Sequence, residues 1–175
     1  MSDRFYKDNY RFEIKTTSPV QIDFLYLDLS VCQRCQKTEN NLMAAIDEVS
    51  EVLKASGIEV RVNKININSR ALAIKHAFVS SPTIRINGKD IVLEMCETDC
   101  KDCGELCGEK VVCRSWIYKG VEYSEPPKEM LVEAILRNIG GQEKEKIKYK
   151  KLYLLPENLN IFFDGIEKKS KLKQK

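Results

Sequence analysis

The chain has 175 residues, 43% hydrophobic and 31% charged, with a net charge of +3. That is the composition of a soluble protein with one main domain and appendages, or two small domains at most. Its core needs no disulfide staples. No apolar run approaches the ~20 residues that span a bilayer, and the opening stretch MSDRFYKDNYRFEIK has no apolar signal core. These features predict a cytoplasmic protein with no membrane partner. In a reducing compartment, its seven cysteines point to catalysis or metal binding rather than to structural bridges.

The charge is uneven. Residues 143–175 carry ten lysines and five acidic residues, whereas residues 1–142 carry 19 basic and 21 acidic ones. The tail reads as a solvated end. It has no arginine and no interleaved aromatics near its end, so nucleic acid is not expected as a partner.

Residues 1–19 form a polar extension with room for a short strand over Arg11–Thr16. In Val20–Leu29 (VQIDFLYLDL), Val20, Ile22, Phe24 and Tyr26 alternate on one face and Leu25, Leu27 and Leu29 on the other. This predicts a strand buried on both faces at its middle. A long amphipathic helix follows to about Ser56, with Leu42, Ala45, Ile46, Val49 and Leu53 at helical spacing and Gly57 placed to end it. Ile58–Ile67 reads as a second strand. Asn68 or Ser69 is placed to cap a shorter helix over Arg70–Phe78. Two strands are expected around Asn87–Gly88, a strong hairpin signal. After the cysteine-rich stretch, Arg114–Tyr118 and Val121–Tyr123 suggest a small hairpin, in which Trp116 and Tyr118 cover the core or shield the cysteine loop. Pro126–Pro127 then precede a helix over Lys128–Ile139. The expected fold is α/β, a mixed sheet in the order β-α-β-α-β-β-α. Residues 20–141 form the main domain, with a cysteine-rich insertion at 96–113 before the last helix. Residues 142–175 form a basic extension. Within it, Leu159, Phe162, Phe163 and Ile166 could form the apolar stripe of a short helix, docked on the body or facing a second subunit. The oligomeric state is left open.

Cys32-Gln33-Arg34-Cys35 falls between the first strand and the first helical turn. A thiol there ionises more readily, because unpaired backbone N–H groups and the helix dipole favour an anion. This makes Cys32 the more exposed, attacking thiolate and Cys35, one turn on, the resolving thiol. Arg34 adds positive charge to the substrate side. The same dithiol could instead clamp a soft metal ion.

The CQRC motif and the later Ser81-Pro82-Thr83 segment resemble the thioredoxin/glutaredoxin superfamily. The resemblance covers roughly residues 20–139 apart from the insertion. It implies a thioredoxin-like sheet, Cys32 and Cys35 as the redox pair, and a cis Pro82 lying against them. It also implies that the Ser81 backbone pairs with an extended substrate. The motif is neither Cys-Gly-Pro-Cys nor Cys-Pro-Tyr-Cys, and Ser30-Val31 stand where thioredoxins carry a tryptophan. More narrowly, the chain is similar to an uncharacterised thioredoxin-like family with a cysteine-rich segment ending in Cys-Arg-x-Trp, here Cys113-Arg114-Ser115-Trp116. The implied partners are a protein or small-molecule disulfide and a reductase.

Residues 96–113 read CETDCKDCGELCGEKVVC, five cysteines in eighteen residues. Three chemistries fit: a four-thiolate zinc site, an iron–sulfur cluster, or thiols exchanging disulfides with Cys32–Cys35. Zinc is placed first. Cys100, Cys103, Cys107 and Cys113 form the expected ligand set, with Cys96 as the alternative ligand. Carboxylates at Asp99, Asp102, Glu105 and Glu109 raise the cost of bare thiolates and so favour a bound cation. The lone His76 is expected on a helix surface, leaving an all-cysteine site. The functional expectation is a thiol–disulfide oxidoreductase-like protein with a second, cysteine-bound metal. The alternative is a non-enzymatic module that binds or senses a soft metal or metalloid.

Overall fold

The computed structural model describes residues 19–92, 94–139 and 152–173. The expected strand over 11–16 and the lysine run over 144–151 lie outside them. The described residues form a mixed α/β structure with two sheets and five helices.

Strand β1 (Val20–Tyr26) is flanked by β2 (Val60–Asn66) and β3 (Thr83–Ile86), and β4 (Lys89–Asp90) adds the far edge, giving the order β2-β1-β3-β4. β1 and β2 run parallel, from Val20 opposite Val60 to Tyr26 opposite Asn66. β1 and β3 are antiparallel, as are β3 and β4. Helix α1 (Gln33–Ala55) makes the parallel crossover. The short helix α2 (Arg70–Lys75) joins β2 to β3, and the Ser69 hydroxyl caps it by accepting from the Leu72 amide at 3.3 Å.

β1 stops at Tyr26, three residues short of the sequence expectation. Beyond it the Leu27 amide donates to Ser81 Oγ at 3.1 Å, and Asp28 turns the chain by accepting from the Val31 amide at 2.7 Å. The second strand of the Asn87–Gly88 hairpin, β4, is only two residues long. The strand ends at Asp90, which pairs with Arg85 while its side chain accepts from the Val92 amide and from the Arg114 guanidinium.

The cysteine-rich segment is not a wrapping loop. It forms β5 (Cys96–Asp99) and α3 (Lys101–Cys107), then enters β6 (Val112–Tyr118), which pairs with β5 and with β7 (Val121–Tyr123) in a second, three-stranded antiparallel sheet. Helix α4 (Lys128–Ile139) comes next.

Alternation along β1 sorts the core into two layers. Ile22 and Phe24, with Ile84 and Ile86 opposite them, pack against α1 and α4, and Trp116 of β6 completes this layer. Leu25 and Leu27 face the other way, onto Phe78, the cysteines and the last helix, α5 (Glu157–Leu172). Trp116 is fully buried, so it belongs to the core rather than to a shield over the cysteines.

The C-terminal stripe docks on the body through Leu159, Phe162 and Phe163. Gly165 permits the closest approach, since a Cβ there would lie 2.4 Å from the Cys107 carbonyl oxygen. Gly165→Ala is therefore expected to destabilise the protein by about 1–3 kcal/mol from overpacking, against about 1 kcal/mol gained in helix propensity. A lowered denaturation midpoint and faster proteolysis near α5 would show it. A rise in stability would mean that α5 does not sit on α3.

Candidate metal centre

Cys32 is the N-cap of α1, and its Sγ accepts from the Cys35 amide at 3.5 Å. The cap position follows from the sequence. The Asp28 turn ends the strand segment, and Cys32, in extended geometry, supplies the acceptor that opens the helix. Cys100 is the N-cap of α3, with Cys103 one turn on, so the spacing of Cys32 and Cys35 recurs. The two helix starts meet: Asp102, in the first turn of α3, accepts from the Gln33 amide of α1 at 2.7 Å.

This meeting gathers the thiols. The sulfurs of Cys32, Cys100 and Cys103 lie within 4.8 Å of one another. Cys113, opposite Thr98 in the second sheet, puts its sulfur 3.7 Å from that of Cys103. Cys35 is the fifth member, its Sγ 3.4 Å from the Ser81 hydroxyl. The two cysteine motifs, taken as separate sites from sequence, are thus one cluster.

Other expected positions fall elsewhere. Cys107 points out of the cluster, its Sγ within reach of the Gly104 and Glu109 carbonyls at 3.7 and 3.6 Å. Cys96 sits half-buried at the start of β5, opposite Ser115. His76 caps the C-terminus of α2. The Ser81–Pro82 peptide is cis. The Ser81 carbonyl, assigned to an extended substrate by the family resemblance, already accepts from the Arg114 amide at 2.7 Å. Arg34 does not face open space. Its guanidinium donates to the carbonyls of Thr98, Asp99, Cys113 and Arg114 at 3.0–3.4 Å.

Burial corrects one sequence expectation. Cys32 is not the exposed member of its pair, since both Cys32 and Cys35 have 0% of their surface accessible. The reason is the insertion, whose α3 start covers the sulfur. An open groove of about 610 Å³ runs along the outside, between Val31, Leu106 and Leu172, and no cysteine lines it.

The thiols share protons unequally. Cys100 is held well below the ordinary thiol value by hydrogen bonds from Cys103, Cys113 and Cys32. Cys32 is also lowered. Its contact with Cys100 opposes ionisation, but hydrogen bonds from Cys103, Cys35 and the Cys35 amide outweigh that. Cys103 and Cys113 are pushed up, each chiefly by Cys100, and Cys35 chiefly by Cys32. Ionisation is thus eased at Cys100 and Cys32 and opposed at Cys103, Cys113 and Cys35. A cation would change this balance, since ligation requires deprotonated sulfur.

The acidic residues around the cluster find other partners. Asp99 pairs with Lys110 at 3.2 Å, Glu109 with Lys168 at 2.9 Å and Glu105 with Lys101 at 3.7 Å.

Sequence reasoning missed the carbonyl clamp of Arg34, the cap by Asp102 and the buried pair of Arg114 with Asp90 at 2.8 Å. Only the repeated two-residue cysteine spacing hinted that the motifs meet.

Among the described residues, no helix is long and apolar enough to cross a membrane. No curated protein and no solved structure matches the chain significantly. A family model does match, over residues 20–135, taking in both cysteine motifs: the chain belongs to DUF2703, a domain family of unknown function.

Proposed function

We propose that this chain is a thioredoxin-like protein whose paired cysteines act as one centre binding a soft metal or metalloid ion. The observation that carries the reading is the approach of the Cys32, Cys100 and Cys103 sulfurs to within 4.8 Å. Thiolates select soft and borderline ions, with zinc the first choice and an iron–sulfur cluster the second. A thioredoxin-like fold is supported by the order β2-β1-β3-β4 with β1 and β2 parallel, and by the dithiol at the start of α1 beside the cis Ser81–Pro82 peptide. All seven cysteines are free thiols, as a cytoplasmic setting would keep them.

A second reading, a thiol–disulfide oxidoreductase, is favoured by the amide bond to Cys32 Sγ and the Ser81 hydroxyl beside Cys35. Against it stands the insertion, which buries Cys32 and occupies the Ser81 carbonyl. A substrate disulfide would have to displace it.

Anaerobic titration with Co²⁺ and Zn²⁺ tests the first reading. One tight equivalent with sulfur-to-cobalt charge-transfer absorption is expected. Four-thiolate sites yield about 10–16 kcal/mol of binding, roughly 3 kcal/mol per ligand, so Cys103→Ser should weaken affinity by about 100-fold. A parent protein that binds no metal yet reduces insulin disulfides through Cys32 would establish the second reading instead.

A further inference from the structure

The cluster holds one sulfur more than a tetrahedral ion takes. Zinc–sulfur bonds of about 2.3 Å place the sulfurs of a tetrahedral site about 3.8 Å apart. Cys113 meets that spacing, with its sulfur 3.7 Å from Cys103, itself in the close trio with Cys32 and Cys100. The close trio comes from the starts of α1 and α3, and Cys113 of β6, beside Cys103, is the fourth thiol. Cys35 remains. It is fully buried, it lies one turn from Cys32, and its sulfur rests on the Ser81 hydroxyl at 3.4 Å.

We propose that Cys32, Cys100, Cys103 and Cys113 hold the ion, and that Cys35 is a resident exchange thiol that converts oxidation into metal release. This rests on the metal-binding reading above. The oxidant is a peroxide. The Cys32 sulfur attacks one peroxide oxygen, the O–O bond breaks, and Cys32 becomes a sulfenic acid as hydroxide leaves and takes up a proton. Cys35 then gives up its proton and attacks the Cys32 sulfur, forming the S–S bond and expelling the second oxygen as water. Two electrons pass from the two sulfurs to the peroxide, which becomes two molecules of water. Residues three apart at a helix start lie about 5–6 Å apart, within the span of a disulfide. The ion loses one of its four ligands, and the three left cannot close a tetrahedron. Cys32 is the ligand that oxidation removes, because Cys35 lies one turn on and buried beside it, whereas Cys107, one turn on from Cys103, turns its sulfur to the Gly104 and Glu109 carbonyls instead.

The test uses the full chain loaded with zinc under anaerobic conditions. Hydrogen peroxide is added, released zinc is read with a chromogenic chelator, and the cysteines are mapped by mass spectrometry. Trypsin cuts after Arg34, so a Cys32–Cys35 bond joins two separate peptides. The parent is expected to release its zinc as that cross-link appears, and to rebind zinc after reduction. Per bound zinc, Cys35→Ser is expected to release at least about tenfold more slowly. Equal release rates in the two proteins, or a parent cross-link at Cys100–Cys103 in place of Cys32–Cys35, would overturn the exchange role while leaving the metal centre standing. A parent that takes up no zinc would overturn both. The mapping is done on the parent, so it decides the matter even if Cys35→Ser does not fold.

Discussion

Asp90→Ala is expected to lower stability by about 3–5 kcal/mol, the usual cost of stripping the partner from a buried charge. The charge is Arg114, whose side chain is only 2% exposed and whose Nη1 donates to Asp90 Oδ1 at 2.8 Å. Among the described residues, no other carboxylate pairs with it. Arg114 Nε has no hydrogen-bond partner, and its guanidinium otherwise lies over the Trp116 ring at 5.4 Å. Arg114 is also the residue whose amide ties β6 to the Ser81 carbonyl. The damage is therefore expected at the junction between the insertion and the main sheet. Chemical denaturation measures the loss, and Asp90→Asn, which keeps an acceptor but not the charge, is expected to fall between the parent and the alanine variant. A loss within ±0.5 kcal/mol for Asp90→Ala would show that Arg114 finds water or another partner.

Arg34→Ala ranks second, at about 2–4 kcal/mol. Hydrogen bonds from a charged donor contribute about 1.5–3 kcal/mol each at most, and part of that is recovered by solvation because Arg34 is half-buried. Its effect is local. The guanidinium joins β5 to β6 through four carbonyls, so its removal opens the second sheet before the first. Amide exchange in the Cys96–Tyr118 region is expected to quicken by about 30- to 700-fold, with the β1–β3 amides little changed. Arg34→Lys keeps the charge but loses the fork and is expected to recover part of the protection. Uniform loss of protection across both sheets would refute the local role.

These two arginines mark where local sequence signals stop. Hydrophobic alternation in VQIDFLY, the serine before Arg70, the Asn87–Gly88 and Lys119–Gly120 turns and the helix over Lys128–Ile139 are local signals. The structure carries all of them, with positive φ at both residues of each turn. The cysteine spacing announced that chemistry was present. Which thiols share a site was not legible, because it depends on how two helix starts sixty-eight residues apart are apposed, Cys32 against Cys100. Arg34 read as positive charge on the substrate side, since nothing local shows that four carbonyls of the distant strands β5 and β6 will converge on it. Cys107 looked like a ligand because spacing along a chain carries no direction. In the structure its side chain sits beside Gly165 of α5.

The matched family region ends at residue 135, yet Leu159, Phe162 and Phe163 of α5 pack in the same apolar layer as the cysteines. Part of the wall of the centre thus comes from sequence beyond the matched region. Relatives that share every cysteine but lack an aromatic helix after the matched region would carry the same thiols under a different roof, or under none. In this chain, the cysteine pattern alone therefore does not define what encloses the thiols; the aromatic helix beyond it does so as well.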